Sequence, residues 1–489
     1  MVRVIRAARA AMLALVGLLP ATAGAAQEAF DVEPSVWDLV LGTHAADLPS
    51  DQFADFACGT NGGPPSIIIS GWADYATCPA EAATGWHEVY FQYDDLLEYV
   101  ALARSDAYRA ELYRNTSVYS RPVIASALFD ADGFMRGLRL VTDPRVDLPV
   151  REQAYQLGGF LQSRTDVVGW DCEDLPPGEG ETAYKGIFIK EICTQADDAA
   201  GIARRLEIHN YRRPGQTILN LDNQPTRGYF EGTTRFEEFL TSEIPDREER
   251  LAEIAARPPA EADPLVARAM DCPGCDLAGA ILRRVDLRGA NLAGANLAGA
   301  SFHASNLVGA NLARANLQGA NFNRAQLMQA DLSGAEMTGA MLYEARLDGA
   351  NLAGATMLNI FAGRSRMIRA NLDGAVIANS DLTGVLMTNA SAVDAIIARS
   401  RLWNAQLSRT DFTGAAFAQS DLLDATMTEA TLVGADMRVT RLVHVNLRDS
   451  DLTGADLSGA FMERANLAGA IIDDVNFTDA RLPAGFTPP

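Results

Sequence analysis

From Leu277 to Leu482 a large apolar residue returns at every fifth position without an insertion, through Leu312, Phe322, Met337, Leu352, Met367, Leu382, Leu402, Phe412, Leu432, Leu447 and Leu467. The pattern lapses only at Ala362 and Ala392. Neither regular element accepts that period. An α-helix advances about 100° per residue, so a five-residue step moves successive leucines about 140° round the axis and leaves no apolar stripe. On a straight strand, residues five apart point to opposite faces, and half of them would meet water. A chain that changes direction once per repeat instead presents every large residue to one enclosed interior. The glycines after the large residues, as at Gly279, Gly289, Gly294 and Gly299, supply the backbone freedom such a corner needs. Two residues before each slot stands Ala, Ser, Thr, Val or Cys almost throughout, as at Ala310, Ala350, Ser380, Thr410, Ala435 and Val475. A second inward position therefore takes small side chains, and alternating large and small residues fill a narrow tube without voids.

The phrases ANLAGANLAGA, ANLARANLQGANF and SDLTGADLSGA carry an A-(D/N)-L-x-x unit, and over about forty consecutive units this segment resembles the pentapeptide-repeat family. The resemblance implies a right-handed quadrilateral β-helix, a solenoid with one pentapeptide on each side; the period alone does not choose four sides over three or five. At about twenty residues per coil and about 4.8 Å between stacked strands, about ten coils make a rod of roughly 50 Å. Its raw strand edges need capping. At the front, DCPGCDL sets Cys275 in the first small slot and Cys272 three residues earlier, which reads as a disulfide staple. A zinc site would need a second ligand pair and a redox-active pair a βαβ context. At the far end, LPAGFTPP places Pro483, Pro488 and Pro489 where they stop strand addition.

Residues 27–242 show no repeat and read as an α+β domain, with a helical linker over 243–271 and the repeats over 272–485. SIIIS, HEVYF, RPVIASALF, FMRGLRLV and YKGIFIKEIC are rich in β-branched and aromatic residues and predict strands. Asp132-Gly133 predicts a hairpin turn. The stretch YDDLLEYVALARSDAYRAELYR predicts one long helix capped by Asp94 or Asp95. The charged helix DREERLAEIAAR then leads to Pro258-Pro259.

The first residues place Arg3, Arg6 and Arg9 before an apolar run ending near Pro20, then small residues suited to cleavage near Ala25 or Ala26, so residues 1–26 read as a secretory signal peptide. That run is far shorter than the ~20 residues a membrane span needs, and no later segment is long enough. The expectation is an exported chain, periplasmic or secreted, in a Gram-negative bacterium. The six cysteines, Cys58, Cys78, Cys172, Cys193, Cys272 and Cys275, then default to disulfides. Sequence proximity suggests 58 with 78, 172 with 193 and 272 with 275, among about 15 possible pairings. The net charge of −22 makes nucleic acid an unpromising partner, because phosphate binding needs clustered positive charge.

Candidate chemistry is sparse. His87-Glu88 opens a zincin motif whose second His is replaced by Phe91, and Asp130-Ala131-Asp132-Gly133 opens a calcium loop without a third acid at the right spacing. His44, His87 or His209 could pair with Cys58 only if that cysteine were reduced. No catalytic, metal or cofactor-binding residue is assigned. If four sides hold, residues twenty apart stack, and one side collects Met341, Tyr343, Phe361, Arg401, Trp403, Leu423, Arg441, Val443 and Phe461. Exposed aromatic and Arg clusters mark interfaces, unless the first domain covers them locally or they are scatter. The leading expectation is a noncatalytic binding or scaffold protein with a protein partner in the cell envelope. An enzyme site near Cys58, His87 and Asp94 is one alternative. DNA mimicry of the gyrase-protecting kind is the other; the resemblance ties it to a dimer joined by a C-terminal helical segment, while the signal and the nearly neutral rod speak against it.

Overall fold

The structure, a computed structural model, describes residues 35–50, 52–113, 116–164, 169–213, 215, 217–219, 225–227, 230–257 and 264–488. The expected signal peptide lies outside the described residues. Two compact units are present, one of residues 35–98 and 108–257, the other of Tyr99–Ala107 with 264–488.

The first unit is mostly antiparallel sheet. Its strands are β1 (Phe53–Cys58), β2 (His87–Tyr93), β3 (Ser117–Val118), β4 (Arg121–Phe129), β5 (Met135–Thr142), β6 (Asp171–Asp174), β7 (Ile189–Asp197), β8 (Ile202–Tyr211), β9 (Thr217–Leu219), β10 (Pro225–Arg227) and β11 (Glu231–Leu240). Nine of them form one sheet in the order β1-β2-β4-β5-β11-β8-β7-β6, with β3 pairing β4, and β9 pairs β10 separately. Alternation sorts its two faces. Phe91, Ala125, Ala127, Phe129, Leu138, Leu140, Leu206 and Phe236 bury one face together with Trp72. The opposite face carries Glu88, Ser126, Arg139 and Glu237, all buried. The β4–β5 hairpin turns through Gly133 at φ +84°, where a left-handed backbone favours glycine.

The stretch 93–114 forms two helices rather than the single one expected, α1 (Leu96–Ala103) and α2 (Ala107–Tyr113). Asp94 caps the first, its Oδ1 accepting from the Leu96 N–H at 2.9 Å. The break falls at Ser105, with φ +58°. There the Ser105 and Asp106 N–H groups donate back to the carbonyls of Leu102 and Ala101, so a left-handed cap ends the helix despite continuing apolar periodicity. Two short helices, α3 (Leu148–Arg151) and α4 (Gln156–Gln162), follow β5, and α5 (Arg247–Ala256) follows β11.

In the second unit each pentapeptide pairs in parallel with the one twenty residues on, as Asn291 with Asn311, Asn311 with Asp331 and Asn316 with Glu336. The ladder runs both ways: the Leu312 N–H donates to the Asp331 carbonyl at 2.7 Å and the Asp331 N–H to the Ala310 carbonyl at 2.9 Å. Within each unit a tight turn closes, as where the Ala315 N–H meets the Leu312 carbonyl at 3.1 Å. The result is a repeat β-helix whose interior holds the large residue of every unit; Leu312, Leu352 and Leu432 are each 0% exposed. Over Thr356–Leu358, Val376–Ala378 and Ile396–Ala398 the pairing lengthens into strands β12, β13 and β14. At the front end helix α6 (Pro264–Met270) lays Leu265, Val266 and the fully buried Ala269 against the interior, a cap the sequence reading did not anticipate. At the far end Phe486 meets Phe477 edge-on at 5.8 Å.

Candidate functional site

The parallel register fixes which outward residues share a side. Asp381, Arg401, Asp421, Arg441, Phe461 and Arg481 follow one another at intervals of one coil. Two positions further along the same units, Trp403, Leu423 and Val443 are stacked through the hydrogen bonds from the Asn404 N–H to the Leu423 carbonyl and from the Asp424 N–H to the Val443 carbonyl. At about 4.8 Å per coil the stripe from Arg401 to Phe461 is about 14 Å long. Arg401 and Arg441 are exposed, and Trp403, Leu423, Val443 and Phe461 are half-buried.

Charge and ring contacts hold this stripe in place. Arg401 pairs with Asp381 at 2.9 Å and Arg441 with Asp421 at 2.9 Å. Exposed pairs of this kind contribute at most ~1 kcal/mol, so their effect is to orient the guanidinium groups. The Arg401 guanidinium lies 4.7 Å from the centre of the Trp403 ring, and that of Arg481 lies 4.9 Å from the Phe461 ring. The Trp403 indole N–H is shielded from water and meets no acceptor among the described residues.

Three of the expected face residues stand apart. Met341 and Tyr343 are 4% and 8% exposed, packed within the same unit against Ala103, with Tyr99, Val100, Leu102 and Phe361 beside them. Local cover therefore removes Met341 and Tyr343 from the free stripe, and Phe361 borders that cover. The large apolar side chains that remain accessible begin at Trp403.

The cysteines are all bonded, Cys58 to Cys78, Cys172 to Cys193 and Cys272 to Cys275. Cys58 is thus no nucleophile in this structure. His87 Nδ1 donates to the Cys78 carbonyl at 2.6 Å, and Asp94 is occupied by the helix cap. His44 accepts from the Ala46 N–H, and His209 lies 3.5 Å from Glu231. Asp130 and Asp132 hold Arg247 at 2.9 and 2.6 Å, so the turn with the calcium-like opening serves an ion pair.

Sequence reasoning missed one cluster. Arg139 reaches Glu81 at 2.6 Å, Glu88 at 3.0 Å and Glu237 at 2.7 Å, and Arg235 adds a second contact to Glu237 at 2.6 Å. Glu88 also accepts from the backbone N–H groups of Asn61 and Gly62. Burial would raise the Glu237 carboxyl, but Arg235 and Arg139 hold it below the usual range. The loop closed by Cys58–Cys78 reaches Arg139 through Asn61, Gly62 and Glu88. It passes so close at Gly59 that a Cβ would stand 2.3 Å from Glu88 Cγ. Only strand register brings these separated residues together: Arg139 is directly opposite Ser126 on one side and Glu237 on the other.

A parallel coil of pentapeptides around a dry core defines a class, the repeat solenoid. The description of the matching family model is pentapeptide repeats, with eight copies across residues 271–307, 295–334, 320–359, 365–404, 405–442 and 446–482. The C-terminal half of the chain belongs to the pentapeptide-repeat family. Among solved structures, the chain is similar to HetL, a pentapeptide repeat protein involved in heterocyst differentiation regulation in the cyanobacterium Nostoc, at 28% identity over 45% of this chain and 94% of that one, with a TM-score of 0.24. It is similar to QnrB1, a plasmid-mediated fluoroquinolone resistance protein, at 20% identity over 37% and 84%, TM-score 0.26. A pentapeptide repeat protein of the Arabidopsis thaliana thylakoid lumen matches at 30% identity over 27% and 77%, TM-score 0.11. No curated protein matches the chain. No helix among the described residues is long and apolar enough to cross a membrane.

Proposed function

We propose that the chain is a noncatalytic, exported scaffold protein whose repeats wind as a right-handed, four-sided helix and bind a protein of the bacterial cell envelope through the Arg401–Phe461 stripe. The observation that carries this reading is the stacking of Arg401, Trp403, Leu423, Arg441, Val443 and Phe461 along one side of a stiff coil. Arg and Trp are the residues that interface hot spots favour. A surface fixed by backbone ladders loses little entropy on binding, so each contact contributes more of its gross energy.

Export is supported by the arginines and apolar run at the start of the sequence and by six cysteines, all paired where the structure describes them. The test is a photo-crosslinking residue placed at Trp403 in cells, with Thr413, on a different side of the coil, as the control. The expected result is an envelope protein captured from position 403 and not from 413, and lost on Arg401→Glu. Equal capture from both positions, or no change on Arg401→Glu, would remove the stripe from the account.

A further inference from the structure

Residues Ser66–Ser70 lie along the free edge of the nine-stranded sheet, with Ile68 directly opposite Ala57 in antiparallel pairing. The bonds run on either side of that pair: the Cys58 N–H donates to the Ile67 carbonyl at 2.7 Å and the Ile69 N–H to the Phe56 carbonyl at 3.0 Å. In an antiparallel ladder, a residue whose neighbours make the bonds directs its own N–H and C=O away from the partner strand. The N–H and C=O of Ile68 therefore face outward from the sheet edge.

The side chains there are equally open. Ile68 is 86% exposed, the most exposed large apolar side chain among the described residues, and Ile67 is 50% exposed. Ile69 packs against the core and anchors the segment, as does the Ser66 N–H on the Cys58 carbonyl at 2.9 Å. Sheet edges are ordinarily guarded by charge, proline or a covering segment, and Ser66–Ser70 contains neither a charged residue nor a proline.

The sequence specifies what would pair with this edge. Ser-Ile-Ile-Ile-Ser reads the same in both directions, and its centre is Ile68, the residue with the outward hydrogen-bonding groups. We propose that Ser66–Ser70 is a homodimer contact, in which two copies of the chain join their sheets antiparallel about a two-fold axis through Ile68. In that register Ile68 meets Ile68 of the second copy and exchanges both backbone bonds with it, Ile67 meets Ile69, and Ser66 meets Ser70. A two-fold interface requires one patch to complement itself, and a palindrome centred on the free donor and acceptor does so. Five residues bury less than the ~1,000 Å² of a stable interface, so the dimer is concentration-dependent.

Two variants test this on the full chain. Ile68→Pro removes only an outward N–H and leaves the bonds to β1 in place, so the melting temperature should hold. Dimer affinity measured by sedimentation should fall about tenfold or more, as two lost backbone bonds require. Under oxidation, Ile68→Cys should give a covalent dimer, since directly opposite residues have Cα atoms about 5.5 Å apart. Ser66→Cys should not, because its equivalent in the second copy would be about 14 Å away along the strands. A monomer at every concentration up to the solubility limit overturns the proposal. So does a dimer that Ile68→Pro leaves intact, or one that crosslinks equally through Ser66→Cys.

Discussion

Val439 illustrates how tightly the coil constrains single residues. The fifth position of each A-(D/N)-L-x-x unit takes a left-handed backbone, φ +67° at Gly294 and Gly299 and close to it even where an L-residue stands, as at Arg314, Asn404 and Val439. A β-branched side chain there is strained by about 1–2 kcal/mol, and Val439 is 51% exposed, so little burial offsets it. Val439→Gly should raise stability to denaturant by about 1 kcal/mol; an unchanged or lower midpoint would mean the corner is not left-handed. Inside the tube, the lapse at Ala362 is compensated two residues earlier. Ile360 occupies a position that elsewhere takes a small residue, and both are essentially unexposed. Large and small have exchanged places. Ile360→Ala would leave two adjacent small residues and should cost about 2–5 kcal/mol, read as a lowered denaturation midpoint.

Among the elements, the sheet of the first unit depends on its buried charges more than its sequence suggested. Removing Arg139 would leave Glu81, Glu88 and Glu237 facing one another at the loop–sheet contact. Arg139→Leu should therefore destabilise by about 3–5 kcal/mol, the range for one partner lost from a buried ion pair. The same cluster gives a pH dependence. A carboxyl whose folded pKa is depressed, as that of Glu237 is, adds stability above its unfolded pKa of about 4.3 and loses it as pH falls through the folded value. Unfolding free energy should thus decline below about pH 4, and less so in Glu237→Gln. What was legible in the sequence follows the same division. The repeats could be read because every unit repeats one local rule; even the polar residue before each large one has a local reason, since the Asn296 side chain accepts from the Ala298 N–H and donates to Asp276 one coil back. In the first unit β2, β4 and β5 could be read from their β-branched and aromatic runs, whereas β1, β8 and β11 were not foreseen, because their charged and small residues interrupt that pattern. The Arg139 cluster was not, because it joins residues from Asn61 to Glu237 that only strand order brings together. The helix break at Ser105 escaped because a left-handed cap there is made by backbone bonds, with no glycine or proline to announce it.

On the scale of the whole molecule, the coil carries the stripe from Arg401 to Phe461 and the sheet unit carries the Ser66–Ser70 edge. The edge follows from the antiparallel pairing of Ile68 with Ala57, and the stripe from the pairing of each pentapeptide with the one twenty residues further on. That spacing determines which residues stack at Arg401 and Trp403 and keeps Leu312, Leu352 and Leu432 dry. The most direct measurement is disulfide mapping from Ser333, an outward position whose neighbour Gly334 donates its N–H to the Ala353 carbonyl at 2.9 Å. With Ser333→Cys fixed and a second cysteine introduced in turn at Asp348, Ala353 or Leu358, oxidation should close a bond rapidly only with Ala353→Cys. Rapid closure with Asp348→Cys or Leu358→Cys instead would mean coils of fifteen or twenty-five residues, and the coil described here would be wrong.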